Sequence, residues 1–265
     1  MESLDKKGPP VNPDDKDGLE RISCLMREGI REAGIPLDER KIGIFARYYQ
    51  ELAKWNSRVN LVGSANPEDI VFRHFIDSLS CWRLGGFDRG VKLLDVGAGA
   101  GFPGVPLKIM FPDIELVALE ATRKKVDFLR HIFAMLGLSG VDVIWGRAED
   151  YAARGSPHRE SFDRVVARAV ARLPVLVEYC LPFIRCGGIF IAFKGPLARS
   201  EVSEAEYSVE QLGGRVREVV HASLPRGYGE RSLVLIEKIR PSPGEFPRRT
   251  GIPEKRPIRC PRGRN

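Results

Sequence analysis

Three carboxylates and a run of glycines carry the chemical signal of this sequence. Asp95 sits within Val91-Lys-Leu-Leu-Asp-Val96, directly before Gly97-Ala-Gly-Ala-Gly-Phe-Pro-Gly104. Glu120 follows a second apolar run, 114–119, and Glu149 lies in Gly146-Arg-Ala-Glu-Asp150 after a third, 141–145. Gly99 to Gly104 fits G-x-G-x-x-G, and Glu120 lies 19 residues beyond Gly101, where a dinucleotide site places its ribose-binding acid. A glycine turn feeding a helix N-terminus is expected to turn amides toward an anion. The acids argue otherwise. A carboxylate at Asp95 repels a pyrophosphate but suits a ligand with a cationic end. Acids after three successive strands fit an adenosyl-amino acid better than a dinucleotide, so S-adenosylmethionine is the expected cofactor. Gly97, Gly99 and Glu120 are its first candidate contacts.

The acceptor side should follow the fourth apolar run, 162–167. The Asn/Asp-Pro-Pro-aromatic turn used on exocyclic base amines is missing there; the sequence is Val166-Ala-Arg-Ala-Val-Ala-Arg172. Methylating a pyrimidine carbon needs a Cys nucleophile. Cys180 and Cys186 are near in sequence but have no evident activating base. Guanine N7 needs neither device: its lone pair points outward and no proton has to leave, so placement can supply most of the catalysis.

Those residues need a frame. Short, nearly continuous apolar runs alternate with helical periodicity from residue 91 onward, the pattern of βαβ units in a parallel sheet covered on both faces. Strands are expected near 91–96, 114–119, 141–145, 162–167 and 187–193. Two more, near 215–222 and 231–239, are close enough to pair antiparallel. Thr122 should cap the helix after the second strand and Gly137 should end it. The fold class is α/β, a Rossmann-like methyltransferase with a mostly parallel seven-stranded sheet. Ahead of it, residues 17–85 read as an N-terminal helical cap. One helix spans about 37–60, and another carries Val71, Phe75, Leu79 and Trp82 on one face. Residues 86–240 form the cofactor-binding domain, and 1–16, with three prolines, a disordered leader.

The chain has 265 residues and a net charge of +7. Residues 241–265 hold seven Lys and Arg against two Glu, a net +5, together with six prolines. Such a basic tail points to a polyanion partner, and its removal is expected to cost RNA affinity while sparing cofactor binding and melting temperature. The alternative is an ordered arm over the acceptor pocket. Five Cys without C-x-x-C spacing argue against a disulfide framework or a zinc ribbon, so no metal is expected. No secretory signal or membrane-length apolar run is legible, which implies a cytoplasmic location.

Several segments together resemble one family. Trp55-Asn-Ser-Arg-Val-Asn-Leu61, His74-Phe-Ile-Asp-Ser-Leu79, Asp95 to Gly104, Gly146-Arg-Ala-Glu149, Arg168-Ala169 and Lys194-Gly195 are similar to the glucose-inhibited division protein B family. The tail adds Phe246-Pro-Arg and Gly251-x-Pro-x-Lys-x-Pro-Ile258. Members are bacterial 16S rRNA guanine-N7 methyltransferases. The resemblance spans about 40–258 and implies the S-adenosylmethionine cofactor and an N-terminal cap. It also implies a guanine target near the decoding region of 16S rRNA, free or in a small-subunit precursor. It implies no protein or membrane partner. It places Gly97 and Phe102 in the cofactor loop, Ala148 and Glu149 on the adenine side, and Arg168 on the far wall as the candidate acceptor-site residue. Residues 1–16 have no counterpart in the family pattern, and the tail is richer in Arg.

Further candidates for RNA contact are His74, Arg123, Lys124, Arg172 and Lys194. His74 and Asp77 lie one turn apart, so the carboxylate could orient or charge the imidazole. Arg168 and Arg172 could grip phosphate or guanine O6 with a fork. Asn56 and Asn60 read as backbone caps. A small-molecule methyltransferase and a cofactor-binding module without activity are the competing functions.

Overall fold

The computed structural model describes residues 16–84 and 86–260. The leader expected over 1–16 therefore falls almost wholly outside the described residues, as does the end of the tail. Seven strands form one sheet in the order β3-β2-β1-β4-β5-β7-β6. They are β1 (Lys92–Val96), β2 (Glu115–Glu120), β3 (Val141–Trp145), β4 (Phe162–Arg168), β5 (Ile184–Lys194), β6 (Gly214–Ser223) and β7 (Glu230–Lys238). The first five pair in parallel, and β7 lies antiparallel to both β5 and β6. Every strand read from the sequence is present. Strand order reverses between β1 and β4, and the crevice outside the strand ends at such a switch point is where open α/β sheets bind ligands.

Strand periodicity sorts the core into two layers. Leu93, Val166, Ile191 and Leu235 face one apolar cluster; Leu94, Val165, Ala192 and Ile236 face the other. The first cluster is covered by α1 (Lys16–Ala33), α2 (Glu39–Asn56), α5 (Gly104–Met110) and α6 (Arg123–Leu136). The second is covered by α8 (Leu173–Cys180) and α9 (Ala198–Gln211), with the short α7 (Ala148–Tyr151) beside them. The cap helices thus share one core with a sheet face: Tyr48, Phe45 and Phe75 are buried there with Phe102 of the glycine loop.

Three local expectations change. The helix placed at 37–60 ends at Asn56, whose Oδ1 accepts from the N–H groups of Leu61 and Val62 at 2.8 and 2.9 Å and turns the chain away. The next helix, α3 (Pro67–Asp69) to α4 (Asp77–Leu79), is π-helical over Ile70–Ile76, and Trp82 lies beyond its end rather than on its face. Thr122 stands at the N-cap of α6 but its side chain makes no cap bond; its backbone N–H donates to Glu120 instead. Gly137 does end α6, in the left-handed conformation glycine tolerates.

The basic segment after β7 is not detached. Arg159 donates to the carbonyls of Ser242, Pro243 and Phe246, and Phe246 and Ile258 pack against the second cluster. Arg248 pairs with the fully buried Glu178 of α8, and α10 (Ile252–Lys255) follows. Removing this segment would strand a buried carboxylate, so the expectation that its deletion spares melting temperature is withdrawn.

Candidate functional site

The glycine loop is held shut from within. The N–H groups of Gly97 and Ala98 donate to Leu119 O, and those of Gly101 and Phe102 to Ala98 O. Gly99 N–H donates to Glu120 Oε2 at 2.9 Å and Gly104 N–H to Asp95 Oδ2 at 2.8 Å. The expectation that these amides await an anion is corrected: six of them are spent on the chain's own oxygens, and no cradle for a pyrophosphate remains. Gly97 has φ +71°, and a Cβ there would sit 2.6 Å from Val170 Cγ2. Both the backbone conformation and the closeness of the β4 loop require glycine.

Beyond that loop, a cavity of about 290 Å³ crosses the ends of β1 to β4. Gly97, Glu120, Ala148 and Glu149 line it; Gly99, also expected there, does not, and its N–H is spent on Glu120. Thr122, Lys125 and Tyr179 complete it; sequence reading missed them because their helices approach the strand ends only in the folded chain. Glu120 Oε1 accepts from Thr122 N–H at 2.7 Å, so this one carboxylate ties the loops after β1 and β2 together while facing the cavity. Asp95 is fully buried beneath the loop. Its Oδ1 has no hydrogen-bond partner, and burial pushes the carboxyl up to about 7 despite the bond from Gly104 N–H.

A second cavity, of about 430 Å³, adjoins the first at Ala169, which lines both and itself has φ +57°. Arg168 brackets this cavity to the cap: Nη1 donates to Arg73 O at 2.9 Å and to Asp77 Oδ2 at 3.0 Å, and Nη2 meets His74 Nδ1 at 2.8 Å. The guanidinium also lies 5.0 Å from the centre of the Phe102 ring, on which His74 stacks. Arg168 therefore belongs to the second cavity's wall, with Phe102 packed behind it, and neither lines the first, where the sequence expected both. Arg231, at the start of β7, donates from Nε to Asp77 Oδ1 at 3.1 Å. Antiparallel pairing sets Lys194 opposite Ser232, and so delivers Arg231 to this site.

The imidazole of His74 is not charged by Asp77. The two do not bond; Arg168 stands between them. Burial and then the charge of Arg168 hold His74 down to about 3, which leaves it neutral with Nδ1 accepting and the proton assigned to Nε2. The other RNA candidates are mostly engaged within the chain. Lys194 points inward to Ala171 O and Glu201, Arg172 bonds Glu204, and Arg123 pairs with Asp127 over the Trp145 ring. Lys124 is exposed. Cys180 is buried and its thiol is pushed well above its usual range by burial; Cys186 is exposed on the opposite end of β5 from the site.

The residues fit an adenosyl-amino acid. Two carboxylates, Glu120 and Glu149, line the first cavity, an unpartnered oxygen of Asp95 lies beneath the glycine loop, and the loop amides a phosphate would need are taken.

The chain is similar to known proteins along most of its length. A family model described as rRNA small subunit methyltransferase G (GidB) matches residues 41–234. A ribosomal RNA small subunit methyltransferase G from Pelotomaculum thermopropionicum is 43% identical over 237 residues, 89% of this chain and 99% of that protein. Another of the same name, from Roseiflexus castenholzii, is 48% identical over 225 residues, 85% of this chain and 95% of that protein. Among solved structures, an MtNAS variant shares the fold at a TM-score of 0.50 and 19% identity, over 86% of this chain and 79% of the other.

Proposed function

The chain belongs to the rRNA small subunit methyltransferase G (GidB) family, and from that premise we propose that it methylates N7 of one guanine in 16S ribosomal RNA, free or in a small-subunit precursor. It is an S-adenosylmethionine-dependent methyltransferase. The observation that carries the reading is the pair of cavities meeting at Ala169, one holding Glu120 and Glu149 and one bracketed by Arg168. In this reading residues 86–240 furnish the cofactor side and share the acceptor side with residues 17–85, which bring Arg73, His74 and Asp77 to it. Among the described residues no helix is long and apolar enough to cross a membrane, in keeping with work on RNA in the cytoplasm.

Glu120 would hold the ribose hydroxyls, Ala148 and Glu149 the adenine side, and Gly97 the loop edge against which the amino acid lies. When bound, S-adenosylmethionine supplies an electrophilic methyl on a sulfonium. The chain's own task is to hold the base, exclude water and tolerate the charge that N7 gains as its lone pair forms the new bond. No proton moves, so no general base is needed. His74, kept neutral, adds no positive charge to that of Arg73, Arg168, Lys194 and Arg231 around the second cavity, and Asp77 is the one carboxylate among its lining residues. N7 lies in the deep major groove of an RNA helix, so the target must be unpaired or exposed.

Methyl-labelled cofactor offered with small-subunit RNA or with small metabolites tests this. Label is expected in RNA, at a base that reduction and aniline cleave as 7-methylguanosine. Label in metabolites, or binding without transfer, would refute it. A protein with all five Cys replaced by Ala is expected to retain transfer, because N7 chemistry forms no covalent enzyme adduct.

Asp95 gives the reading a pH signature. Its carboxyl is raised from about 3.9 unfolded to about 7 folded. In the ligand-free protein its contribution to stability is full below about pH 4 and is lost as pH rises through about 7. A ligand's ammonium near Oδ1 favours the ionised form. Affinity for S-adenosylmethionine should therefore rise with pH through about 7 with release of a proton. Calorimetry in buffers of different ionisation heat reads that proton, and Asp95→Asn should abolish it.

A further inference from the structure

The C-terminal arm reaches the cofactor cavity through two anchors. Glu178 is fully buried on α8, and Arg248 meets it four ways: backbone N–H to Oε1 at 2.8 Å, Nε to both oxygens, and Nη2 to Oε2 at 2.6 Å. A carboxylate taken fully out of water is costly unless so paired. The chain then runs Thr250 Oγ1 to Asp150 Oδ1 at 3.2 Å and Gly251 N–H to Glu149 Oε1 at 3.1 Å. Gly251 has φ +80°, the left-handed turn that presents this N–H. One anchor ends on the cavity wall, at Glu149; the other ends at Glu178, behind the wall and one residue before Tyr179, which lines it. Glu149 is 7% exposed, so without the arm a buried carboxylate oxygen would lose its donor.

We infer that Arg248 and Glu178 are positioning residues of the cofactor site. Their fork seats the arm so that Gly251 N–H fixes Glu149 in the cavity wall, which makes arm docking and cofactor binding one coupled equilibrium. The inference rests on reading that cavity as the S-adenosylmethionine site. The family model ends at residue 234, whereas the tail motifs Phe246-Pro-Arg and Gly251-x-Pro lie in the arm itself. Coupling of this kind is reciprocal: whatever the arm adds to cofactor affinity, bound cofactor returns to arm docking.

S-adenosylhomocysteine is the probe, since it occupies the site without turnover. Arg248→Ala should weaken its binding about tenfold, within the range typical of coupled sites. Arg248→Lys should fall between, because an ammonium keeps the charge but not the fork. Arg249→Ala, one residue on and exposed, should bind as wild type. For S-adenosylmethionine, KM should rise in Arg248→Ala while kcat at saturation recovers. In the wild-type protein, saturating S-adenosylhomocysteine should slow tryptic cleavage at Arg249 and Lys255. That measurement needs no variant and stands even if Arg248→Ala fails to fold. Cleavage at the same rate with and without ligand, or unchanged affinity in a folded Arg248→Ala protein, would overturn the inference. Failure of wild-type protein to bind either ligand would overturn the cofactor reading beneath it.

Discussion

Replacing Glu120 by Ala is expected to lower affinity for S-adenosylhomocysteine by at least about 100-fold. Two effects add. The cavity loses the carboxylate that faces it at the end of β2. The N–H groups of Gly99 and Thr122 lose a charged acceptor, and bonds of that kind contribute roughly 1.5–3 kcal/mol each. The first loss alone would leave the loops in place; the second loosens the glycine loop, which keeps only the bonds of Gly97 and Ala98 to Leu119 O on β2. A lowered melting temperature should therefore accompany the lost affinity. Glu120→Gln separates the two: its carbonyl can still accept from one loop, while its amide faces the other N–H. Its affinity should lie between wild type and Ala, with most of the melting temperature retained. An affinity within about threefold of wild type in a folded Glu120→Ala protein, read by calorimetry, would remove Glu120 from the site.

The sheet was legible because each central strand is a short apolar run bounded by a polar or glycine turn. Two-sided burial leaves no other use for such runs as Leu93-Leu94 or Val165-Val166. The acids at the strand ends were legible for the same reason, since a carboxylate closing a buried strand must find a donor. What those donors are was not legible. That Glu120 and Asp95 consume the glycine loop's own amides depends on how the loop folds back over β1, and G-x-G-x-x-G spacing is silent on it. Arg168 as a bracket was hidden likewise. Its partners, Arg73, His74 and Asp77, lie more than 90 residues earlier on a π-helical stretch whose register no 3.6-residue periodicity reveals. The arm was misjudged by composition. Proline and arginine suggested a solvated tail, but a buried Glu178 fixes Arg248, and only the fold places Glu178 across from it.

Replacing Arg168 by Ala is expected to reduce the rate of methyl transfer by at least about 100-fold, while cofactor affinity stays within about threefold. The split follows from where the side chain lies: it walls the second cavity and does not line the first. Loss of the guanidinium frees the cap helix at Arg73 O, uncovers one side of the Phe102 ring and leaves His74 Nδ1 without its donor. A base in that cavity would then meet walls no longer fixed to one another, and misplacement of even an ångström is costly in a reaction that rests on alignment. Asp77 would also be left with Arg231 alone. Removing one partner of a buried ion pair costs about 3–5 kcal/mol, so the variant should melt earlier. Arg168→Ala combined with Asp77→Asn removes the stranded charge and should recover much of the stability. It should not recover the rate, because the bracket is still gone. Arg168→Lys keeps a cation near Asp77 but cannot span Arg73 O, Asp77 and His74 together, and should also remain slow. Single-turnover transfer at saturating cofactor and RNA, set beside melting curves, reads both quantities. If the double variant regains the wild-type rate along with its stability, Arg168 serves only to neutralise Asp77, and the second cavity's shape does not depend on it.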